Sequence, residues 1–258
     1  MNVSALEVEF RRKRDAGRKL LVPYVTGGLH GWIDAIRAAA AHGADAIEIG
    51  IPFSDPVMDG PIIQEASQRA LDAGATPVSI LEEARRLDVQ IPLIVMCYYN
   101  TVHHAGHERF AAQLAAAGIS GAIIPDLPLE ESGPWCDAAD GHGIATILLA
   151  APTAPDDRLP RICSRARGFV YSVGLLGVTG ERDTLASTAT SLAGRLKRVT
   201  DVPVIVGVGV SNSAQAVEAC KVADGVVQGA SVVRRLMEGG PEAVGEYVAE
   251  VREALDAG

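Results

Sequence analysis

The chain has few aromatic residues and few cysteines, and each shortage excludes a class of protein. Aromatic residues make up only 4% of the 258 positions, so any core must be mainly aliphatic. No two of the cysteines are spaced as C-x-x-C, which argues against a disulfide framework and against a zinc site. The net charge of −9 argues against a general nucleic-acid surface and against binding to anionic membranes. We therefore expect a globular chain with reduced thiols.

Several sequence signals are also missing. No uninterrupted apolar run approaches the roughly 18 residues that a membrane span needs. The first residues are charged from Glu7 onward and do not resemble a signal peptide, so we expect a cytoplasmic protein. No G-x-S-x-G motif occurs, and none of the four lysines, at positions 13, 19, 197 and 221, falls at the end of an apolar run. These absences disfavour both a serine nucleophile and Schiff-base chemistry.

Short apolar runs alternate with Ala-rich helical stretches along the whole chain. A capping-box pattern, from Ser4 to Glu7, predicts one additional helix before the first run. Eight such runs without a dividing linker predict a single (β/α)8 barrel domain over residues 1–258. The alternative is an open doubly wound sheet, but its G-x-G-x-x-G fingerprint is absent after the first run. The predicted strands are Leu20–Val25, Ala46–Gly50, Pro92–Cys97, Gly121–Pro125, Ile144–Leu149, Gly168–Val173, Val204–Gly207 and Asp224–Gln228. The clearest predicted helices are Trp32–Ala41, Ile62–Leu71, His107–Ala117, Leu185–Arg198 and Ala214–Ala219.

Glu48 is an unusual residue because it interrupts an apolar strand, between Ile47 and Ile49. Side chains alternate along a strand, so Glu48 should face the barrel interior if the isoleucines face the helices. Burial would raise its pKa, which suits a group that gives and takes protons. The alternative is a structural glutamate bonded to the backbone. The following loop carries Asp55 and Asp59, and either could form an acid–base pair with Glu48 or remain a solvated loop carboxylate.

Glycine-rich turns follow the last two predicted strands, at residues 207–211 and 228–231. Barrels often bind phosphate at these turns, although glycines also serve simply to close tight connections. The segment YSVGLLGVTG, which begins at Tyr171, is long enough to close over a substrate or to be an ordinary loop. The histidines at positions 103, 104 and 107 are better explained by a solvated helix end than by a metal site. We therefore predict no bound metal.

Five segments resemble the tryptophan synthase alpha chain family and occur in its order. They are Glu48 with the following GIPFSDPVMDGPIIQ, then MCYYN (Met96–Asn100), IIPDLPLEES (Ile123–Ser132), GVTG (Gly177–Gly180) and GVGVSNSAQA (Gly207–Ala216). The resemblance implies a (β/α)8 barrel with an extra N-terminal helix. It also implies cleavage of indole-3-glycerol phosphate to indole and glyceraldehyde 3-phosphate, within L-tryptophan biosynthesis.

The same resemblance implies a role for each matching residue. Glu48 would protonate the indole ring and then accept the hydroxyl proton, and Asp59 would accept the indole N–H. Tyr171 and Thr179 would contact the substrate, with Thr179 orienting Asp59. The implied phosphate-binding residues are Gly180, Gly209, Gly229, Ala230 and Ser231. The residues implied at the contact with a beta chain, in a complex of two alpha and two beta chains, are Asp55, Pro56, Asn100 and Asp126. Pyridoxal phosphate would belong to that beta chain, and this chain would hold no cofactor.

The chain departs from the family pattern in four loops. Gly28-Leu29-His30 replaces G-D-P, Thr101 follows Asn100, Gly174-Leu175-Leu176 precedes GVTG, and Ala230 stands where a serine is usual, with Ser231 one place later. These departures raise the alternative of a stand-alone lyase that releases free indole for secondary metabolism. A catalytically silent subunit and a sugar-phosphate isomerase are disfavoured, because both carboxylates of the motif are present.

Overall fold

The strands of the computed structural model, which describes residues 3–174, 187–207 and 209–258, close into one barrel. Each strand pairs in parallel with the next, and β8 pairs with β1 to complete the circle. The strands are β1 (Leu20–Thr26), β2 (Ile47–Gly50), β3 (Leu93–Met96), β4 (Ile119–Ile123), β5 (Ala145–Ala150), β6 (Val170–Val173), β7 (Val204–Gly207) and β8 (Gly225–Gln228). The prediction of a (β/α)8 barrel with an extra N-terminal helix is confirmed.

The helices surround this barrel in the order that the alternating pattern predicts. Within the described ranges they are α1 (Ala5–Asp15), α2 (Trp32–Ala41), α3 (Pro61–Asp72), α4 (Pro77–Ala84), α5 (Tyr99–Ala105), α6 (His107–Ala116), α7 (Gly133–Gly141), α8 (Arg158–Arg165), α9 (Ser187–Lys197), α10 (Ser213–Cys220) and α11 (Ala230–Ala257). The largest errors in the predicted strand bounds are two residues: β6 begins at Val170 rather than at Gly168, and β4 spans Ile119–Ile123 rather than Gly121–Pro125. The shift of β4 has a clear cause: Gly118, at φ +76°, completes the turn after α6, so Ile119 already pairs with Leu93 of β3.

Helix α1 packs against the N-terminal end of the barrel. Ser4 caps it as predicted, with its hydroxyl accepting the N–H of Glu7 at 3.2 Å. The Glu7 carboxylate does not complete the capping box, because it accepts the N–H of Gly168 at 3.3 Å and a hydrogen bond from Arg11. Phe10 stacks on Phe169 at 5.8 Å between ring centres. The helix therefore covers the end of the barrel opposite to the carboxyl ends of the strands.

Helix α11 is broken at Gly240, which adopts φ +73° and ψ −170° before Pro241. A non-glycine residue rarely adopts this conformation, and proline cannot donate the next helical hydrogen bond. The second segment turns back along the first, so the guanidinium of Arg235 lies 3.7 Å from the ring centre of Tyr247. The last helix thus forms two packed segments rather than one rod.

The four cysteines, Cys97, Cys136, Cys163 and Cys220, are all free and buried. They lie in separate units of the barrel: after β3, in α7, in α8 and at the end of α10. Burial raises the pKa of the Cys163 thiol to about 11 and that of the Cys220 thiol to about 12. These thiols are therefore protonated at neutral pH. Among the helices of the described ranges, none is long and apolar enough to cross a membrane.

Candidate active site

Glu48 faces the interior of the barrel near the carboxyl end of β2. Ile47 and Ile49 are fully buried on the opposite side of the strand, as the alternation of side chains predicts. The Glu48 side chain is only 1% exposed, and its Oε2 has no hydrogen-bond partner among the described residues. Burial, followed by the nearby charge of Asp59, raises the Glu48 pKa to about 8. Glu48 therefore holds a proton at neutral pH and can act as an acid.

Asp59 lies in the loop between β2 and α3, and Tyr98, the residue directly before α5, anchors this loop. The Tyr98 hydroxyl accepts the N–H of Met58 at 3.0 Å, and the Tyr98 ring packs on Phe53 at 5.1 Å. Burial raises the pKa of Asp59, and a hydrogen bond with Tyr98 partly opposes that rise. Gln64 adds a hydrogen bond to the Asp59 carbonyl at 2.7 Å. The loop carboxylate is therefore held in place and partly desolvated.

Glu48 and Asp59 open into one cleft at the carboxyl ends of the strands, with a volume of about 820 Å³ including its mouth. This is where barrels carry their active sites. The predicted site residues that line it are Glu48, Asp59, Tyr171, Gly209, Gly229, Ala230 and Ser231. Its remaining walls are mostly apolar, formed by residues that include Ile63, Met96, Pro125, Leu149, Val173 and Val227. The cleft thus combines an apolar slot, two carboxyl groups and a glycine-rich end.

Two tyrosine rings, of Tyr24 and Tyr171, line the cleft together with Glu48, and each lies over a glycine. A side chain at Gly50 would overlap the ring of Tyr24, and one at Gly207 would overlap the ring of Tyr171. Burial raises the pKa of both phenols, with Asp59 the next cause for Tyr24 and Glu48 the next cause for Tyr171. Both are therefore neutral hydroxyls within the electrostatic reach of the carboxyl groups.

The glycine-rich end of the cleft presents backbone rather than side chains. Gly209 adopts φ +90°, and helix α11 begins directly after Gly229, which offers no capping side chain. First-turn N–H groups that lack a side-chain acceptor, together with the positive end of a helix dipole, form a site for anions. We call the cleft-lining set Gly209, Ser211, Gly229, Ala230 and Ser231 the anion cradle.

Other predicted residues lie outside the cleft or outside the described ranges. Thr179, Gly180 and the lid residues 175 and 176 belong to the undescribed segment. Asp55, Asn100 and Asp126 are exposed and Pro56 is half-buried, with Asn100 in the first turn of α5 and the other three in loops at the carboxyl ends of the strands. Asp126 accepts the N–H of Tyr99 at 2.8 Å. In the part of the chain that the structure describes, no three His, Cys, Asp or Glu side chains are grouped as metal ligands.

Sequence reasoning missed Tyr24 and Tyr98. The available signal for Tyr98 was its position directly after an apolar strand, where polar groups reach the barrel mouth. Tyr24 is preceded in the strand by Leu20–Pro23 and gave no signal of its own, because an aromatic residue inside a strand is normally core.

Comparisons with known proteins agree with this geometry. A sequence profile described as the tryptophan synthase alpha chain matches residues 10–256. The tryptophan synthase alpha chain of Picosynechococcus sp. is 43% identical, over 98% of this chain and all of that protein. The alpha chain of Thermobifida fusca is 44% identical, over 92% of this chain and 90% of its own length.

Solved structures give the same result. A chain of Mycobacterium tuberculosis tryptophan synthase superposes with a TM-score of 0.92 at 36% identity, covering 100% of both chains. The alpha chain from Legionella pneumophila superposes with a TM-score of 0.88 at 28% identity, covering 99% of this chain and 98% of that one. These matches favour an alpha chain over a stand-alone lyase. The chain belongs to the tryptophan synthase alpha chain family.

Proposed function

We propose that this chain cleaves indole-3-glycerol phosphate to indole and glyceraldehyde 3-phosphate, with Glu48 as the acid–base group and Asp59 as its partner. The observation that carries the proposal is the position of Glu48, which is buried beside the cleft and has a pKa of about 8. A carboxyl group that is protonated at neutral pH can donate a proton to carbon and then accept one back.

In the proposed reaction Glu48 transfers two protons, because it first donates one and then accepts another. Glu48 donates a proton to indole C3, which turns the ring into a cationic imine. The Glu48 carboxylate then takes the proton of the hydroxyl on the adjacent side-chain carbon. That carbon becomes the aldehyde of glyceraldehyde 3-phosphate as its bond to C3 breaks, and the bonding electrons restore the neutral indole. The protonated indole ring is the electron sink, which explains how the cleavage proceeds without a lysine.

Asp59 supplies the charge that the protonated ring needs. Its carboxylate would accept the indole N–H and stabilise the positive charge on nitrogen as C3 is protonated. Tyr98 supports this role because it holds both the Met58 amide and the Asp59 carboxyl. The apolar side chains of Ile63, Met96 and Leu149 would enclose the flat faces of the ring, next to Tyr171. The cleft would thus bind the indole ring at its apolar end and the phosphate at the anion cradle.

The anion cradle would bind the phosphate of the substrate. Gly229, Ala230 and Ser231 offer backbone N–H groups and one hydroxyl at the start of α11, and Gly209 adds the turn after β7, which together suit a dianion. The GVTG motif adds Gly180 to this set, and it adds Thr179 as the residue that orients Asp59. Both assignments depend on the family motif alone.

We further propose that the chain works with a beta chain in the cytoplasm. The exposed residues Asp55, Asn100 and Asp126 and the half-buried Pro56 would contact that partner. Pyridoxal phosphate would be bound by the beta chain, and this chain would carry no cofactor of its own. The buried, free cysteines are compatible with a reducing compartment.

The test is steady-state cleavage of indole-3-glycerol phosphate by the purified chain, alone and with a beta chain added. A slow basal rate that rises strongly on addition would support the alpha-subunit role. Glu48→Gln and Asp59→Asn should each abolish most turnover, whereas Glu82→Gln, on the exposed face of α4, should retain it. Cleavage that persists in Glu48→Gln would refute the assignment of Glu48. A fast basal rate that does not change when the beta chain is added would refute the proposal that the chain works with a beta chain.

A further inference from the structure

Tyr247 of the second α11 segment reaches the anion cradle from behind. Its hydroxyl lies 3.0 Å from the carbonyl oxygen of Ser211 and 3.3 Å from Oγ of Ser231. Ser211 follows β7 and Ser231 follows β8, so one side chain contacts both glycine-rich turns. Tyr247 is only 3% exposed and does not itself line the cleft.

The break at Gly240 is what allows this contact. Ser231 and Tyr247 are 16 residues apart in the sequence. In one straight helix that spacing would place them about 24 Å apart along the axis. Because the chain reverses at Gly240, their hydroxyl groups instead meet beside the cradle. The reversal therefore brings the second segment of the last helix to the proposed phosphate site.

The hydrogen-bond arrangement leaves the hydroxyl of Ser231 available to a ligand. A carbonyl oxygen can only accept, so the single phenol hydrogen of Tyr247 serves the Ser211 carbonyl. The hydroxyl of Ser231 can rotate between the Tyr247 oxygen and an anion in the cleft. The Ser211 turn is held from its other side as well, because its N–H donates to Oε1 of Gln215 at 2.6 Å.

Arg235 completes this arrangement. Its guanidinium lies 3.7 Å from the ring centre of Tyr247, a cation–π distance, and its Nη1 donates to the Ser231 carbonyl at 2.9 Å. Side chains on a helix lean toward its N-terminus, so the charge sits beside the first turn of α11. Burial raises the pKa of Tyr247 and Arg235 partly opposes that rise.

We propose that Tyr247 and Arg235 are positioning residues for phosphate binding, which fix the distance between the two turns of the anion cradle and bring a positive charge behind them. The proposal rests on the proposed function, since it deepens the role of the same site. Ala230 replaces the serine that usually stands in the last turn, and Ser231, one place later, is the hydroxyl that Tyr247 holds. The Tyr247 contact thus presents a substitute for the missing hydroxyl.

The test uses Tyr247→Phe, which removes only the hydroxyl, and Arg235→Gln, which removes the charge. Lys221→Gln is the matched control, because it also removes one positive charge but lies in the turn before β8, at the opposite end of the barrel. Two quantities are measured on the full chain: kcat and KM for indole-3-glycerol phosphate, and the dissociation constant for inorganic phosphate. The second comes from NMR shifts of the amides of Gly209, Gly229 and Ser231.

We expect Tyr247→Phe to raise both KM and the phosphate dissociation constant about fivefold, the factor that corresponds to one net hydrogen bond, with kcat within about twofold. Arg235→Gln should act in the same direction, and its effect should shrink at high salt. Arg235→Lys should recover part of the loss because it restores the charge. Lys221→Gln should match the parent chain.

Two results would overturn the proposal. One is a folded Tyr247→Phe variant whose KM and phosphate dissociation constant both stay within twofold of the parent. The other is a lower thermal midpoint with unchanged phosphate affinity, which would make Tyr247 purely structural. The amide measurement needs no turnover, so it separates failure of this proposal from failure of the proposed reaction. If phosphate shifts the amide resonances of the cradle but the chain does not cleave indole-3-glycerol phosphate, only the proposed reaction is refuted.

Discussion

Glu48→Gln should gain stability relative to the parent chain as the pH rises toward 8, while it abolishes cleavage. The raised pKa of Glu48, about 8 against an ordinary 4.5, means that the folded chain holds a proton that the unfolded chain releases. Stability contributed by such a group is complete below pH 4.5 and is lost as the pH rises toward 8. Glutamine does not titrate, so the stability of the variant does not fall in this way as the pH rises. The Glu48 carboxyl is therefore a source of instability in the parent chain at neutral pH.

The magnitude follows from the two pKa values. Linkage gives a cost of roughly 3 kcal/mol at pH 7 and under about 1 kcal/mol at pH 5. Burying the glutamine amide adds a further cost that does not depend on pH. The pH dependence therefore isolates the carboxyl: the stability of Glu48→Gln relative to the parent should grow by roughly 2–3 kcal/mol between pH 5 and pH 7. Above pH 8 the difference should level off.

Urea unfolding at pH 5, 6, 7 and 8 measures this difference directly, from the midpoint and slope of each transition. Glu82→Gln, an exposed carboxyl on α4, is the matched control and should follow the parent chain at every pH. Parallel stability curves for Glu48→Gln and the parent would refute the raised pKa. They would also remove the reason for assigning Glu48 as a proton donor at neutral pH.

Three further predictions concern the rest of the site. Asp59→Asn should lower kcat at least about 100-fold with KM little changed, in steady-state cleavage; an unchanged kcat would reduce it to a loop residue. Gly207→Ala should displace the ring of Tyr171 and cost roughly 1–3 kcal/mol of unfolding free energy in urea, and an unaffected midpoint would contradict the overlap. Asp126→Ala leaves the first-turn N–H of Tyr99 without its acceptor, so rate stimulation by a beta chain should fall further than in Asp126→Asn. Equal stimulation in both variants would refute that role.

Local patterns were sufficient to predict most of the architecture and the position of Glu48. Apolar runs alternating with helical stretches define the barrel, and the period of two within β2 turns one carboxyl away from Ile47 and Ile49. The glycine-rich turns after β7 and β8 were also recognisable, because close backbone approach to an anion requires residues without a side chain.

Interactions across the barrel could not be read from the sequence in the same way. Tyr98, between β3 and α5, holds the loop of Asp59 although it lies 40 residues from Met58, and no local sequence pattern indicates that pairing. Glu7 has the spacing of a capping box, yet its carboxylate serves Gly168, 161 residues further along. Tyr247 reaches Ser231 only because the chain reverses at Gly240. Such contacts depend on which elements become neighbours after folding.

The four buried cysteines allow the cooperativity of unfolding to be measured by thiol labelling without introducing a probe. A thiol reagent reaches Cys97, Cys136, Cys163 or Cys220 only when the surrounding unit opens, and each cysteine belongs to a different unit. If the whole barrel unfolds as one domain, all four should be labelled at a common rate set by global unfolding. Labelling of Cys163 or Cys220 ahead of Cys97 would instead identify a half of the barrel that opens on its own.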